Sequence, residues 1–119
     1  MNPNASDAET IVRHHLQAFV EQQGLDAILN DYANDACFLS EDHAYCGKQA
    51  IRAFFEGFIA ALPSQAIGQF KLRSLRVQGD VAHITWSAGP ELPLGTDTFV
   101  VRQGKIVSQT FAAHAAPVR

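Results

Sequence analysis

Residues 32–58, YANDACFLSEDHAYCGKQAIRAFFEGF, hold the passage on which the reading of the fold turns. Tyr32 reads as the end of a helix. Residues 36–40 are short and apolar enough for a strand, Ser40-Glu41-Asp42-His43 is a polar turn, and residues 44–46 return beside the first strand. Gly47 then breaks the chain before a strongly amphipathic helix. Ile51, Phe54, Phe55, Phe58, Ile59 and Leu62 recur at three- and four-residue spacing, which puts them on one face, and Pro63 follows the last turn. Such a face builds a core, and it serves equally well as a wall for an apolar ligand. The turn at 40–43 is the densest run of acid–base groups in the chain. It either does chemistry or only closes a hairpin.

Upstream, Ser6-Asp7-Ala8-Glu9 fits a capping box, and Val12, Leu16, Phe19 and Val20 follow at helical spacing, which predicts a helix over 7–22. Gly24 stops it, and Leu25, Ile28, Leu29 and Tyr32 mark a short second helix. Downstream of Pro63 the period becomes alternating. Phe70 and Leu72 share one parity while Leu75 and Val77 share the other, so a β-bulge is expected near Arg73-Ser74. Gly79-Asp80 is a tight turn before a strand over 81–88, residues 89–95 form a loop, and strands over 96–102 and 105–113 flank the turn Gln103-Gly104. The tail AAPVR has no pattern and is read as loose. The order ααββαββββ is that of an α+β protein, one domain over 1–119, with three N-terminal helices on the concave side of a strongly curved, mainly antiparallel sheet.

Composition narrows the function classes. The chain has 119 residues, is 47% hydrophobic and 18% charged, and carries a formal net charge of −3. That is an ordinary soluble composition with no basic footprint for nucleic acid or an anionic membrane. No apolar run reaches the ~20 residues that span a bilayer. The opening MNPNASDAET has neither the basic nor the apolar segment of a secretory signal, so a cytoplasmic protein is expected. Cys37 and Cys46 sit on the two arms of the hairpin and could face each other; in that compartment they are expected as reduced thiols.

Three segments together resemble the nuclear-transport-factor-2-like superfamily, and within it the SnoaL-like and ketosteroid isomerase-like branch. They are Tyr32-Ala33-Asn34-Asp35-Ala36, Gly47 with Ile51-Arg52-Ala53-Phe54-Phe55, and Asp97-Thr98-Phe99-Val100-Val101-Arg102 with Gly104-Lys105-Ile106. The resemblance implies a cone with a deep, mostly apolar pocket between sheet and helices, and a homodimer through the outer face of the sheet. It also implies isomerase acid–base positions, which ungapped counting puts at Leu16, Ser40 and Phe99. None of these can carry that chemistry, so the isomerase mechanism is excluded. The superfamily hosts several activities and non-catalytic binders, and fold alone does not choose among them.

Asp97 is the sharpest candidate for chemistry. It shares strand parity with Phe99 and Val101, which the resemblance turns to the pocket, and a carboxyl among apolar neighbours has its pKa raised by desolvation. The alternative is a strand-end residue bonded to a loop N–H. Asp42 and His43, with Glu41 beside them, are the second candidates, since a carboxylate holding an imidazole makes a usable base. Against that stands a plain solvated turn, and adjacent residues point apart in a strand. Of His14 and His15, one reaches the pocket mouth or the two divide between surface and helix edge. Tyr45 is a further hydroxyl donor.

On the strand over 81–88 the Trp86 row is assigned to the pocket and the His83 row to the dimer surface; the reverse is the alternative, because both rows are partly apolar. On the last strand Val107, Gln109, Phe111 and Ala113 are expected to face inward, with His114 at the rim. The five histidines are scattered, and there is no HExxH, no CxxC, no phosphate-binding Gly-rich loop and no nucleophile elbow, so no metal and no cofactor are expected.

These observations leave two readings open. One is a cofactor-free acid–base enzyme, an isomerase, cyclase, dehydratase or hydrolase, on a small apolar molecule. Asp97 would be its principal group, assisted by His43, Asp42 and His15, in a pocket drawn from Leu16, Phe19, Ser40, Tyr45, Phe54, Phe58, Trp86, Phe99, Gln109 and Phe111. The other is a non-catalytic ligand-binding or dimeric scaffold protein.

Overall fold

Four strands joined by short connections carry the second half of the chain, and their alternation decides which side the helices cover. Along Val81–Ala88, Ala82, Ile84, Trp86 and Ala88 are buried while Val81 and His83 are exposed. The Trp86 row therefore faces the core. In the computed structural model, which describes residues 7–62 and 65–115, the elements are α1 (Asp7–Val20), α2 (Leu25–Leu29), β1 (Tyr32–Leu39), β2 (Ala44–Cys46), α3 (Lys48–Ala61), a 3-10 turn (Ile67–Gln69), β3 (Phe70–Gln78), β4 (Val81–Ala88), β5 (Leu94–Arg102) and β6 (Lys105–His114). The expected cap at Ser6, the stop at Pro63 and the end of the tail lie outside the described residues.

The six strands form one curved sheet in the order β2-β1-β6-β5-β4-β3, parallel only between β1 and β6. Helix α1 packs on β5 and β4, α3 packs on β1 and β2, and α2 lies against α3. Val12, Ala18, Ile51 and Phe55 from the helices meet Phe38, Ile84, Phe99 and Ile106 from the sheet in one buried cluster. This is the α+β arrangement expected from the order of elements.

The bulge anticipated in β3 lies where the parity changes. Pairing with β4 shifts between Leu72 and Ser74, Arg73 turns out to solvent, and Phe70, Leu72, Leu75 and Val77 all pack on the core. A second bulge was not foreseen. Val100 pairs with Ser108 but Val101 pairs with Ile106, so Val107 is the extra residue of β6. The inward position expected for Val107 belongs to Ile106, which is fully buried.

Three other expectations are corrected. Tyr32 opens β1 rather than closing α2, because the sheet claims its backbone: Tyr32 pairs with Ile106, whose N–H donates to the Asp31 carbonyl at 2.8 Å. His114 is the last residue of β6, not a residue beyond it. Cys37 and Cys46 are register partners on β1 and β2, so both side chains leave the sheet on one side and form a disulfide instead of two free thiols. Among the described residues, no helix is long and apolar enough to cross a membrane.

Candidate functional site

The concave face of β4, β5 and β6 does not close fully against α1 and α3. It leaves a cavity of about 60 Å³ open to the centre of a water-sized sphere. That exceeds several-fold the roughly 10–15 Å³ that one water requires. Aromatic rings make most of the wall. Phe54 and Phe58 of α3 stack with ring centres 5.6 Å apart, Phe111 of β6 stands edge-on to Phe58, and Trp86 of β4 lies parallel to Phe111. Leu16 and Phe19 of α1, Phe55 of α3 and Phe99 of β5 complete the part of the lining that the sequence pointed to, while Phe38 and Phe70 line it without having been assigned there.

Three polar side chains, His15, Asp97 and Gln109, reach this apolar space, and Asp97 is the carboxyl among them. Asp97 sits on β5 between Gly95 and Phe99 in the inward row and is buried. The Trp86 indole Nε1–H donates to its Oδ1 at 2.7 Å, and the Gln109 amide Nε2–H donates to its Oδ2 at 2.8 Å. Burial pushes the carboxyl above its ordinary value of 3.8; the bonds from Trp86 and Gln109 and the charges of His15 and His83 pull the other way without cancelling it. Two N–H donors facing its two oxygens suit the carboxylate, which only accepts. The arrangement is a buried anion with raised proton affinity at the edge of an apolar cavity.

From Asp97 and Gln109 the polar groups continue toward α1. Tyr32 Oη–H donates to Gln109 Oε1, and His15 Nε2 lies 3.4 Å from the same Tyr32 oxygen. His15 itself lines the cavity. Its other ring nitrogen is 3.7 Å from Asp31 Oδ2, while Asp31 Oδ1 meets His14 Nδ1 at 2.8 Å. The adjacent histidines thus divide their roles: the His14 side chain is 55% exposed and that of His15 5%. Among the described residues no group of three or more His, Cys, Asp or Glu side chains is placed to hold a metal ion.

The hairpin tip lies elsewhere. Ser40, Tyr45, Asp42 and His43 do not line the cavity. The tip folds on itself, with Ser40 N–H donating to the His43 carbonyl at 2.9 Å and Ser40 Oγ–H donating to Asp42 Oδ1 at 3.2 Å. The His43 ring rests on Tyr45, and Tyr45 backs Phe54 from outside the cavity. Because β2 is the edge strand, this turn closes a sheet margin, and Asp42 and His43 stay in solvent.

Three residues around the polar groups of the site also escaped the reading of the sequence. Tyr32 served only as a mark of the fold, and Asp31 was passed over. Gly95 pairs with Trp86 across β4 and β5, and a Cβ on it would overlap the indole ring. The available signal for Gly95 was its strand parity, two residues before Asp97 in the inward row. No local signal ties Asp31 to His15, which stand sixteen residues apart in the chain.

A family model described as the SnoaL-like domain matches residues 12–109. No curated protein matches the sequence. Among solved structures, a SnoaL-like protein of unknown function from Burkholderia thailandensis superposes with a TM-score of 0.77 at 17% identity, covering 96% of this chain and 100% of that one. A candidate polyketide cyclase from Sinorhizobium meliloti gives a TM-score of 0.72 at 21% identity over 91% of this chain and 100% of its own. A nuclear-transport-factor-2-like protein from Burkholderia xenovorans gives 0.74 at 19% identity over 95% and 86%. At these identities the likeness is one of fold.

Proposed function

The chain belongs to the SnoaL-like domain family within the nuclear-transport-factor-2-like superfamily, and from that premise we propose a small-molecule pocket protein that works as a cofactor-free acid–base enzyme with Asp97 as its general base. The observation that carries this is the Asp97 carboxylate, buried beside an aromatic-lined cavity, held by Trp86 and Gln109 and raised in proton affinity. A structural ion of this kind would normally be paired with a cation, whereas here both partners are neutral donors. A base with raised pKa is better matched to abstracting a proton near neutral pH than an exposed carboxylate.

The substrate that fits is small, largely apolar and uncharged at the end that meets Asp97, with an acidic C–H beside a carbonyl. A substrate carboxylate there would face like charge. Removal of that proton opens isomerisation, cyclisation or elimination, and the candidate polyketide cyclase among the structural neighbours is consistent with the cyclisation branch.

The test is Asp97→Asn, assayed against carbonyl-bearing terpenoid, steroid and polyketide-like substrates that the wild type turns over. Loss of a positioned general base lowers turnover by about 10²–10⁴-fold while apolar binding persists. Unchanged turnover in that variant removes Asp97 from the mechanism.

A second reading rests on a separate observation. Leu16 and Phe99, at two of the positions where isomerases carry acid groups, are hydrocarbon wall in this cavity. That favours a ligand-binding protein without turnover. It is distinguished by tight binding of a ligand that emerges chemically unchanged. We also infer a homodimer through the outer face of the sheet, where His83, Thr85, Thr98, Ser108 and Thr110 lie.

A further inference from the structure

Tyr32, His15 and Asp31 form a buried polar series that the base reading does not by itself use, and its hydrogen atoms can be placed by following the donors. Gln109 gives its N–H to Asp97 Oδ2, so its carbonyl oxygen is the end that meets Tyr32, and the Tyr32 hydroxyl must donate to it. The proton on Tyr32 is then committed. Burial, followed by the charges of Asp97 and Asp31, holds the phenol well above its ordinary 10.0 and keeps that proton in place. His15 Nε2 can therefore meet the Tyr32 oxygen only as a donor.

The other side of the ring supplies the second constraint. His15 Nδ1 and Asp31 Oδ2 are both buried, face each other at 3.7 Å, and have no hydrogen-bond partner among the described residues. A ring with hydrogen on Nε2 alone would set a lone pair against a carboxylate oxygen. A second hydrogen on Nδ1 turns that opposition into an ion pair. The ring also meets Phe55 of α3, Phe99 of β5 and the cavity, and the charge that acts on it from that side is that of Asp97. His14 meets Asp31 at its other oxygen, and His83 of β4 is the further charged group acting on Asp97.

We propose that Asp31, His15, Tyr32 and Gln109 form a one-directional hydrogen-bond relay, with His15 protonated on both ring nitrogens, that turns the Gln109 amide toward Asp97 and holds that carboxylate ionised. Asp31, His15 and Tyr32 are then positioning residues. They touch no reacting atom of the base, and they decide which end of the Gln109 amide it sees. The catalytic significance of the relay rests on the reading of Asp97 as base; its existence does not.

The experiment needs no substrate. Trp86 is the only tryptophan in the chain, so its indole N–H gives one resonance, and that N–H is bonded to Asp97. In ¹⁵N-labelled wild type at pH 7 the His15 ring nitrogens are expected to show the doubly protonated pattern. Asp31→Asn is expected to return them to a neutral tautomer. In Tyr32→Phe, the Gln109 amide loses the partner that fixes its orientation, and the pH midpoint read at the Trp86 indole is expected to rise by about one unit.

A neutral His15 in the wild type overturns the relay even if both variants misfold. So does a Trp86 midpoint in folded Tyr32→Phe that coincides with the wild-type value. With a substrate in hand, Tyr32→Phe lowers kcat, leaves KM near its wild-type value and shifts the acid limb of the rate profile upward with the Trp86 midpoint. If Asp97→Asn leaves turnover intact while the nuclear magnetic resonance signatures hold, the base reading fails and the relay stands.

Discussion

At Asp97, burial and hydrogen bonding act in opposite directions on the same proton, and burial prevails. The consequence for stability has a definite sign. A carboxyl whose folded pKa lies above its unfolded value favours folding below the unfolded pKa, and that contribution is lost as pH rises through the folded pKa. As pH rises through that folded pKa, the buried group takes on a charge that costs stability. Asp97→Asn removes it without opening a cavity: the Asn oxygen still accepts from Trp86, and the Asn nitrogen can donate to a turned Gln109 amide once the Tyr32 hydroxyl turns from Gln109 to His15 Nε2. Thermal melts should show the variant gaining on the wild type as pH rises above the ordinary carboxyl value of 3.8. A wild type that gains on the variant over that range would refute the raised pKa. A variant more stable and less active than its parent is the expected mark of a functional group held under strain.

Among elements, β4 and β5 fix the geometry of the site through one missing side chain. Gly95 lets the Trp86 indole lie flat across the neighbouring strand, so that Nε1 reaches Asp97 two residues along. Gly95→Ala forces the ring aside and should cost about 1–3 kcal/mol, the range for overpacking a buried position. Denaturant melts give the loss, and altered Trp86 emission reports the displaced ring; native emission with unchanged stability would mean that the ring does not rest there.

This contact also shows where the sequence stops being informative. Strand parity puts Asp97, Phe99 and Gln109 on the inward face because period two is a local property. The bulge in β3 is legible for the same reason: an apolar row that changes parity leaves a record. The bulge at Val107 leaves none, since Ile106 and Val107 are equally apolar and either could take the inward position. Asp42 and His43 have the residue types of a catalytic pair, and only the edge location of β2 removes them from the cavity. Tyr32 is buried under either assignment, but as the first residue of β1 it points its hydroxyl at Gln109, seventy-seven residues away in the chain. Long-range pairing of this kind has no trace in local pattern.

For the whole molecule, the helices cover only one face of the sheet, and the other face carries a row of small polar side chains with Val81 among them. Antiparallel sheets tolerate water on one side. The homodimer inferred for this face predicts light scattering at twice the mass of the chain at micromolar concentration, and His83→Glu, which puts a carboxylate on this exposed face of each copy, should shift it toward the single-chain mass. A single-chain mass in the wild type excludes the dimer at that concentration.

The sheet order has a further consequence, in the timing of assembly. The strand that comes last in the chain, β6, is an inner strand, with β1 on one side and β5 on the other. As a ribosome releases the chain, α1 through β2 and β3 through β5 emerge as two groups with no ladder between them, and each waits with one edge unpaired. Only β6 joins them, and it brings Gln109 to both Tyr32 and Asp97 in the same step. The charge that the pocket conceals is thus enclosed only after every other strand has been made.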